Sequence, residues 1–304
     1  MAILVIPLLF VMGESAPAAT FTDEVGRTIE VNGPPQRIVS VAPNVTEILF
    51  ALGLEDRLVG VSVYCQYPPE ALKKEKIGGY MNPSLEKIVA LRPDLVIGIA
   101  EGDLRNFVDK LASLKVPVYI TNPQDALEVL TSIRKIGEVT FAQEPARRIV
   151  RSMEERIRKI QDKVRGRPRP RVLHILDFNP LISAGKGTFV DDLIRLAGGW
   201  NVAETAAGKY PHFSMEEVLV QDPEVILLAS MKSQDPLVKQ RRWWERWKTI
   251  SAVKKGRIYV LDSDLIHRPS PRMPDGLEQV AKAIHPEVFK SQPPNPNEIE
   301  KFNL

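Results

Sequence analysis

The chain has 304 residues, 44% of them hydrophobic and 26% charged, and a formal net charge of +3. That is long enough for two domains with cores of their own and ordinary for a globular protein. So small a charge, with no recognisable nucleic-acid-binding motif, argues against DNA or RNA as a partner. The single cysteine, Cys65, excludes an internal disulfide. Residues 1–11 are almost wholly apolar and run into a small-residue Ala16-Pro17-Ala18 site. That pattern reads as a secretory signal over 1–19, too short to span a bilayer, and it predicts an exported, soluble protein in the periplasm or at the outer face of the cytoplasmic membrane.

Residues 21–35 alternate well enough for a hairpin turning near Gly26-Arg27. Residues 37–41 form a buried strand, and Pro43-Asn44-Val45-Thr46-Glu47 opens a helix that Gly53 stops. A strand over 59–63 leads into the aromatic loop Tyr64-Cys65-Gln66-Tyr67-Pro68-Pro69, and Gly78-Gly79-Tyr80-Met81-Asn82-Pro83 makes another loop. Strand 95–99, helix 104–114 and strand 118–120 follow. The second half repeats the theme with strand 172–176, helix 189–197, strand 225–228, strand 258–260 and a closing helix over 276–284. The run 241–248, RRWWERWK, reads as a helix whose tryptophans pack against a sheet, and the basic run 165–171, RGRPRPR, as a solvated linker. Residues 291–304 have the composition of a disordered tail.

Between the halves lies one long amphipathic segment, 142–166. Ala146, Ile149, Val150, Met153, Ile157, Ile160 and Val164 form a helical stripe, with Glu154 and Arg158 a favourable i,i+4 pair on the wet face. Gly166 and the prolines at 168 and 170 end it, after roughly 36 Å of helix. On either side stands the same unit at an offset of 130 residues: Ser84 matches Ser214, Glu86 matches Glu216, and Pro93 matches Pro223. Each copy is a Ser cap, a short helix, an x-Pro-Asp/Glu turn and an apolar strand. The expected fold is α/β, with two lobes (20–141 and 167–290), each a mainly parallel sheet with flanking helices, joined by the helix at 142–166. An unbroken helix resists bending, so lobe closure on a ligand should be small.

The opening FTDEVGRTIEV and the following PPQRIVSVAPNVTEILFALG resemble the class III periplasmic substrate-binding proteins of ABC importers, which carry cobalamin, ferric siderophores or haem and share the helical backbone between two α/β lobes. The resemblance runs from about residue 21 to 289. SVYCQYPPEA at 62–71 and SDLIHRPSPR at 263–272 look most like the vitamin B12-binding branch. It implies a monomeric carrier, not an enzyme, that takes cobalamin or a related corrinoid as cargo, has no catalytic cofactor, and delivers to a permease dimer with its ATPase subunits. Tyr64, Tyr80, Phe178, Tyr210 and Arg268 match positions lining the family's corrinoid site, and Asp264 and His267 accompany Arg268 in the second motif. The family's tryptophans appear here as tyrosine or Leu265. Glu86 and Glu216 match the two glutamates that dock on permease arginines; by themselves they are also what a helix N-terminus favours.

Of the four histidines, His212 and His267 are placed in loops facing the cleft, and all four read as structural or surface groups, with no metal site assembled. A ferric-siderophore carrier is the alternative, with Arg268 and Arg272 as candidate partners for an anionic complex. Haem ranks lower, because similar haem carriers have Gly-Tyr-x-Arg where this chain has Gly79-Tyr80-Met81-Asn82. A two-lobed enzyme is the rival class. No G-x-G-x-x-G, P-loop or G-x-S-x-G is present, and Gly185-Lys186-Gly187-Thr188 lacks the upstream glycine of a phosphate loop.

Overall fold

The computed structural model describes residues 18–101, 104–229 and 237–289. The expected signal segment lies outside them except for Ala18 and Ala19, which belong to the first strand; the expected tail lies outside as well. The chain opens with an antiparallel hairpin of β1 (Ala18–Thr22) and β2 (Thr28–Asn32), in which Gly26 takes φ +83°, a conformation glycine adopts freely. Then come β3 (Ile38–Ser40), α1 (Pro43–Ala51), β4 (Leu58–Val61), β5 (Glu75–Lys76), α2 (Leu85–Ala90), β6 (Leu95–Ile99), α3 (Leu104–Ser113), β7 (Val118–Thr121) and α4 (Ala126–Val139). Their strands form a parallel sheet in the order β5-β4-β3-β6-β7.

The long helix is α5 (Gln143–Val164). Beyond it lie β8 (Arg171–Ile175), the small hairpin β9 (Asp177–Phe178) and β10 (Leu181–Ile182), α6 (Phe189–Leu196), β11 (Trp200–Asn201), α7 (Met215–Gln221), β12 (Val225–Leu228), α8 (Leu237–Trp244), α9 (Ser251–Lys254), β13 (Ile258–Val260), α10 (Ser263–His267) and α11 (Met273–Ile284). The second parallel sheet runs β11-β8-β12-β13. In each lobe the chain fills one side of the first strand and then crosses to the other. Both sheets therefore have a switch point, between β3 and β6 and between β8 and β12, where open α/β sheets leave a crevice.

Strand residues alternate between two layers, as a period of two requires. Val225 and Leu227 join a core that continues from lobe to lobe, while Ile226 and Leu228 face a separate cluster around Trp244. The shared core is threaded by α5, whose buried residues are Ala146, Val150, Met153, Ile157, Ile160 and Val164. Burying each of the larger ones contributes roughly 1.5–3 kcal/mol. The wet face differs from expectation at one pair: Glu154 accepts from Arg134 of α4 at 2.5 Å rather than from Arg158. The cause is α4, a helix the chain-order reading passed over. Gly137 lets it approach α5 closely, since a Cβ there would lie 2.5 Å from the Ala146 Cβ. Its signals were present, with Asp125 capping the Glu128 amide and Val129, Ile133 and Ile136 buried on one face.

The internal repeat is realised atom by atom. Ser84 caps the Lys87 amide and Ser214 the Glu217 amide. Arg92 and Asp222, each just before the matching proline, take φ +46° and +41°. Arg37 donates its guanidinium to the carbonyls of Leu91 and Arg92, and Arg171 does the same to those of Gln221 and Asp222. The basic linker is thus only partly solvated: Arg171 holds this turn, and Arg169 donates to the Gly199 carbonyl. In the tryptophan run the helix is α8, ending at Trp244, which is fully buried, as the packing reading anticipated.

Candidate ligand-binding cleft

The carboxyl ends of both sheets point at one cavity of about 510 Å³ between the lobes. From the first lobe it is lined by Pro43 and Asn44 after β3, Tyr64 after β4, Tyr80 after β5, Ala100 and Glu101 after β6, and Asn122 to Gln124 after β7. The second lobe contributes Leu176 and Asp177 after β8, Ile182 of β10, and Ser263, Asp264, His267, Arg268 and Pro269 of the α10 region. Tyr64 and Tyr80 meet edge to face with centroids 5.5 Å apart, and Tyr64 remains half exposed. Gly79 lets its loop close on itself, since a Cβ there would come 2.9 Å from Asn82 Oδ1.

The second wall rests on α10. Asp262 caps the Asp264 amide, and Gly276 lets α11 approach, because a Cβ there would stand 2.3 Å from the Leu265 carbonyl oxygen. Asp264 pairs with Arg268 at 2.7 Å. Arg272 forks onto Glu47, its Nε donating to Oε2 at 2.8 Å and its Nη2 to Oε1 at 2.6 Å, and Arg268 approaches the same carboxylate at 3.6 Å. The Arg272 guanidinium also lies over the Tyr67 ring, 3.9 Å from its centroid. Glu47 sits on α1, so this buried cluster ties one lobe to the other. Ala126 adds a second tie by donating its amide to Asp192 of α6 at 2.9 Å. The two arginines offered as partners for an anionic ligand are therefore already neutralised by Glu47 and Asp264.

His267 is helical rather than in a loop; it lines the cavity and stands 3.2 Å from His174, Nε2 to Nε2. Burial pushes its pKa down to about 4 and that of His174 well below the usual value, so both imidazoles are neutral near pH 7. His212 is exposed and pairs through its backbone with Ile182. Among the described residues no three His, Cys, Asp or Glu side chains converge as metal ligands.

Phe178 departs from its expected place. Its ring packs on Trp243 and Trp244, with centroids at 4.7 and 6.4 Å, and it is not among the cavity-lining residues. Tyr210 is likewise outside the lining and 59% exposed; partial burial and then the charge of Glu101 raise its phenol pKa. The same causes raise Tyr80. Glu47 and Glu101 were missed by sequence reasoning. Glu47 is a carboxylate in the short helix that follows β3, buried with Asn44 and Thr46, and Glu101 follows a strand; neither has a sequence pattern that marks it. Glu86 and Glu216 are exposed, each the second residue of its helix, and neither lines the cavity.

The sequence profile described as "Periplasmic binding protein" matches residues 38–265. The chain is 30% identical over 248 residues to the vitamin B12-binding protein of Vibrio cholerae serotype O1, covering 81% of this chain and 88% of that one. The crystal structure of the periplasmic vitamin B12-binding protein BtuF of Vibrio cholerae superposes with a TM-score of 0.74 at 29% identity, covering 85% of this chain and 99% of that chain. The periplasmic heme-binding protein RhuT from Roseiflexus sp. RS-1 superposes with a TM-score of 0.74 at 27% identity, over 83% of this chain and 99% of that chain. With two switch-point sheets facing one cleft across a helical backbone, the chain belongs to the periplasmic binding protein family, as a non-enzymatic, class III substrate-binding protein of the ABC importer type.

Proposed function

We propose that the cleft captures cobalamin or a related corrinoid as transported cargo, outside the cytoplasm, and delivers it to the permease dimer of an ABC importer. The observation that carries this reading is the cleft itself: about 510 Å³, walled by Tyr64 and Tyr80, with its arginine already paired to carboxylates. A large apolar, aromatic concavity suits a bulky planar ring, and similarity to B12-binding relatives points the same way. Tyr64, Tyr80, Tyr210, Asp264, His267 and Arg268 are the assigned ligand residues, and Phe178 supports the wall from behind. Glu86 and Glu216 are assigned to docking, one per lobe, where charge-assisted pairs with arginine would set orientation.

Haem is supported by the RhuT likeness but less by the chemistry. Tyr80 would have to ligate iron as a phenolate, and both burial and Glu101 hold it in the protonated form. A ferric siderophore is disfavoured by the paired arginines. Absorbance titration of the protein with cyanocobalamin, cobinamide, haemin and a ferric catecholate tests the assignment. Tyr64→Ala should weaken corrinoid binding about thirtyfold, the loss of about 2 kcal/mol typical of an aromatic anchor. Phe178→Ala should leave affinity within about threefold, because its ring packs on tryptophans rather than in the cleft. A parent that binds no corrinoid, or a Tyr64→Ala variant that binds like the parent, removes the assignment.

A further inference from the structure

The cleft carries unbalanced charge of one sign only. Among the described lining residues Arg268 is the one cation, and Asp264 matches it. What is left is Glu101 on the first lobe and Asp177 on the second. Asp177 is partly engaged, accepting from the Phe178 amide at 2.7 Å. Glu101 stands just beyond the end of β6, beside the switch point of its sheet, and lines both the cleft and a small cavity of about 20 Å³ behind Tyr80. Its carboxylate is exposed, and among the described residues no cation or hydrogen-bond donor engages it. Tyr80 lines the same wall of the first lobe, and the charge of Glu101 reaches the phenol of Tyr210 on the second. A carboxylate accepts hydrogen bonds and donates none when ionised, so this part of the wall offers a negative charge and acceptor oxygens, with neutral hydroxyls to either side.

We propose that Glu101, seconded by Asp177 from the other lobe, is the specificity-determining charge filter of the cleft: it favours ligands that are cationic, or neutral with N–H donors at the rim, and turns away ligands with an anionic edge. The inference rests on the corrinoid reading of this cleft and narrows it. A corrin rim bears primary amides, which donate, whereas haem presents propionates and a ferric tris-catecholate is an anion throughout. Attraction of the right ligand and like-charge repulsion of the wrong one are the two halves of specificity. An acidic residue opposite an arriving anion costs more inside a cleft than in open water, because the surrounding dielectric is lower.

Two matched probe pairs test it. Diaquacobinamide and dicyanocobinamide differ in charge on one ring, the aquo form being cationic; haemin and its dimethyl ester differ only in the propionates. The parent should bind diaquacobinamide more tightly than the dicyano form by about fivefold, a gap of about 1 kcal/mol. Glu101→Gln should narrow that gap to within about twofold, and Glu101→Lys should invert it. Asp177→Asn should narrow it less, since its carboxylate is already engaged. If the parent takes neither cobinamide but binds haemin compounds, the corrinoid reading falls. The filter is then judged separately: it stands if the diester binds tighter than the diacid and Glu101→Gln closes that difference. A charge preference unchanged in Glu101→Gln, or a diacid preferred over its diester, overturns the filter even where corrinoid binding holds.

Discussion

The two lobes share their scaffold and differ in what they show the cleft. Each has a Ser-capped helix, a residue with left-handed backbone before a proline, and an arginine clamped on the carbonyls of that turn. On the cleft side the likeness stops. Where the first lobe has Ser40, bonded to Thr46 at 2.8 Å with Thr46 near the buried Cys65 thiol, the second has His174 edge to face with His267. All four histidines lie in the second half of the chain. The first lobe supplies the cavity-lining tyrosines, Tyr64 and Tyr80, the second the Asp264–Arg268 pair. Clamps and caps stabilise each lobe through local contacts and so repeat; a ligand has two different faces, and the walls that meet it have no reason to.

The largest break in this comparison is expected at the Glu47–Arg268–Arg272 cluster that joins the lobes. Removing Glu47 leaves Arg272 without its forked partner, while Arg268 keeps Asp264 at 2.7 Å, in a place where the Glu47 side chain is only 2% exposed. Breaking such a pair by deleting one member costs about 3–5 kcal/mol. Glu47→Ala should therefore lose about 3 kcal/mol or more in denaturant unfolding, whereas Glu154→Ala, which cuts the half-exposed pair with Arg134, should lose at most about 1 kcal/mol. Equal losses would show that burial at the lobe junction carries no special weight.

Acid should find the second lobe first. Unfolded, His267 takes a proton near pH 6.5; folded, only near pH 4, so unfolding binds protons between those values. Its contribution to stability is present above pH 6.5 and is lost as pH falls through 4. Integrated over the shift, that loss is about 3 kcal/mol. His174, which burial also holds well below the usual value, adds to it in the same direction. Denaturation midpoints measured from pH 7 to 4 should fall for the parent and less steeply for His267→Gln. Identical pH profiles would mean that the histidine pair is solvated or paired in a way that costs nothing.

A smaller effect sharpens the comparison where the lobes agree. If Glu86 and Glu216 both dock on permease arginines, the double alanine variant should bind ligand like the parent and bind the transporter about tenfold more weakly at low salt. Glu→Arg at either site should be worse than Glu→Ala through like-charge contact. Transport at the parental rate in low-salt vesicles would leave both as helix-dipole partners.

The sequence by itself determined the layered scaffold. Short-range periodicity placed the strands and the long stripe of α5, the offset of 130 residues disclosed two lobes, and the motifs at 62–71 and 263–272 pointed to the cleft loops. Tyr64, Tyr80, Asp264, His267 and Arg268 were legible because they stand within motifs that follow strands. Only the tertiary structure decided which charges meet. Glu47 and Arg272 are 225 residues apart in sequence and form one forked pair; Glu154 had a partner at the right helical spacing and took Arg134 on a neighbouring helix instead. Phe178 fits a cleft aromatic by motif, yet tryptophans of a later helix claim its ring. Glu101 shares the cleft wall with Asp177, 76 residues on and from the other lobe. Periodicity is set by backbone geometry within a few turns, but the energy of a charge or ring depends on every surface packed around it, and those surfaces come from distant parts of the chain.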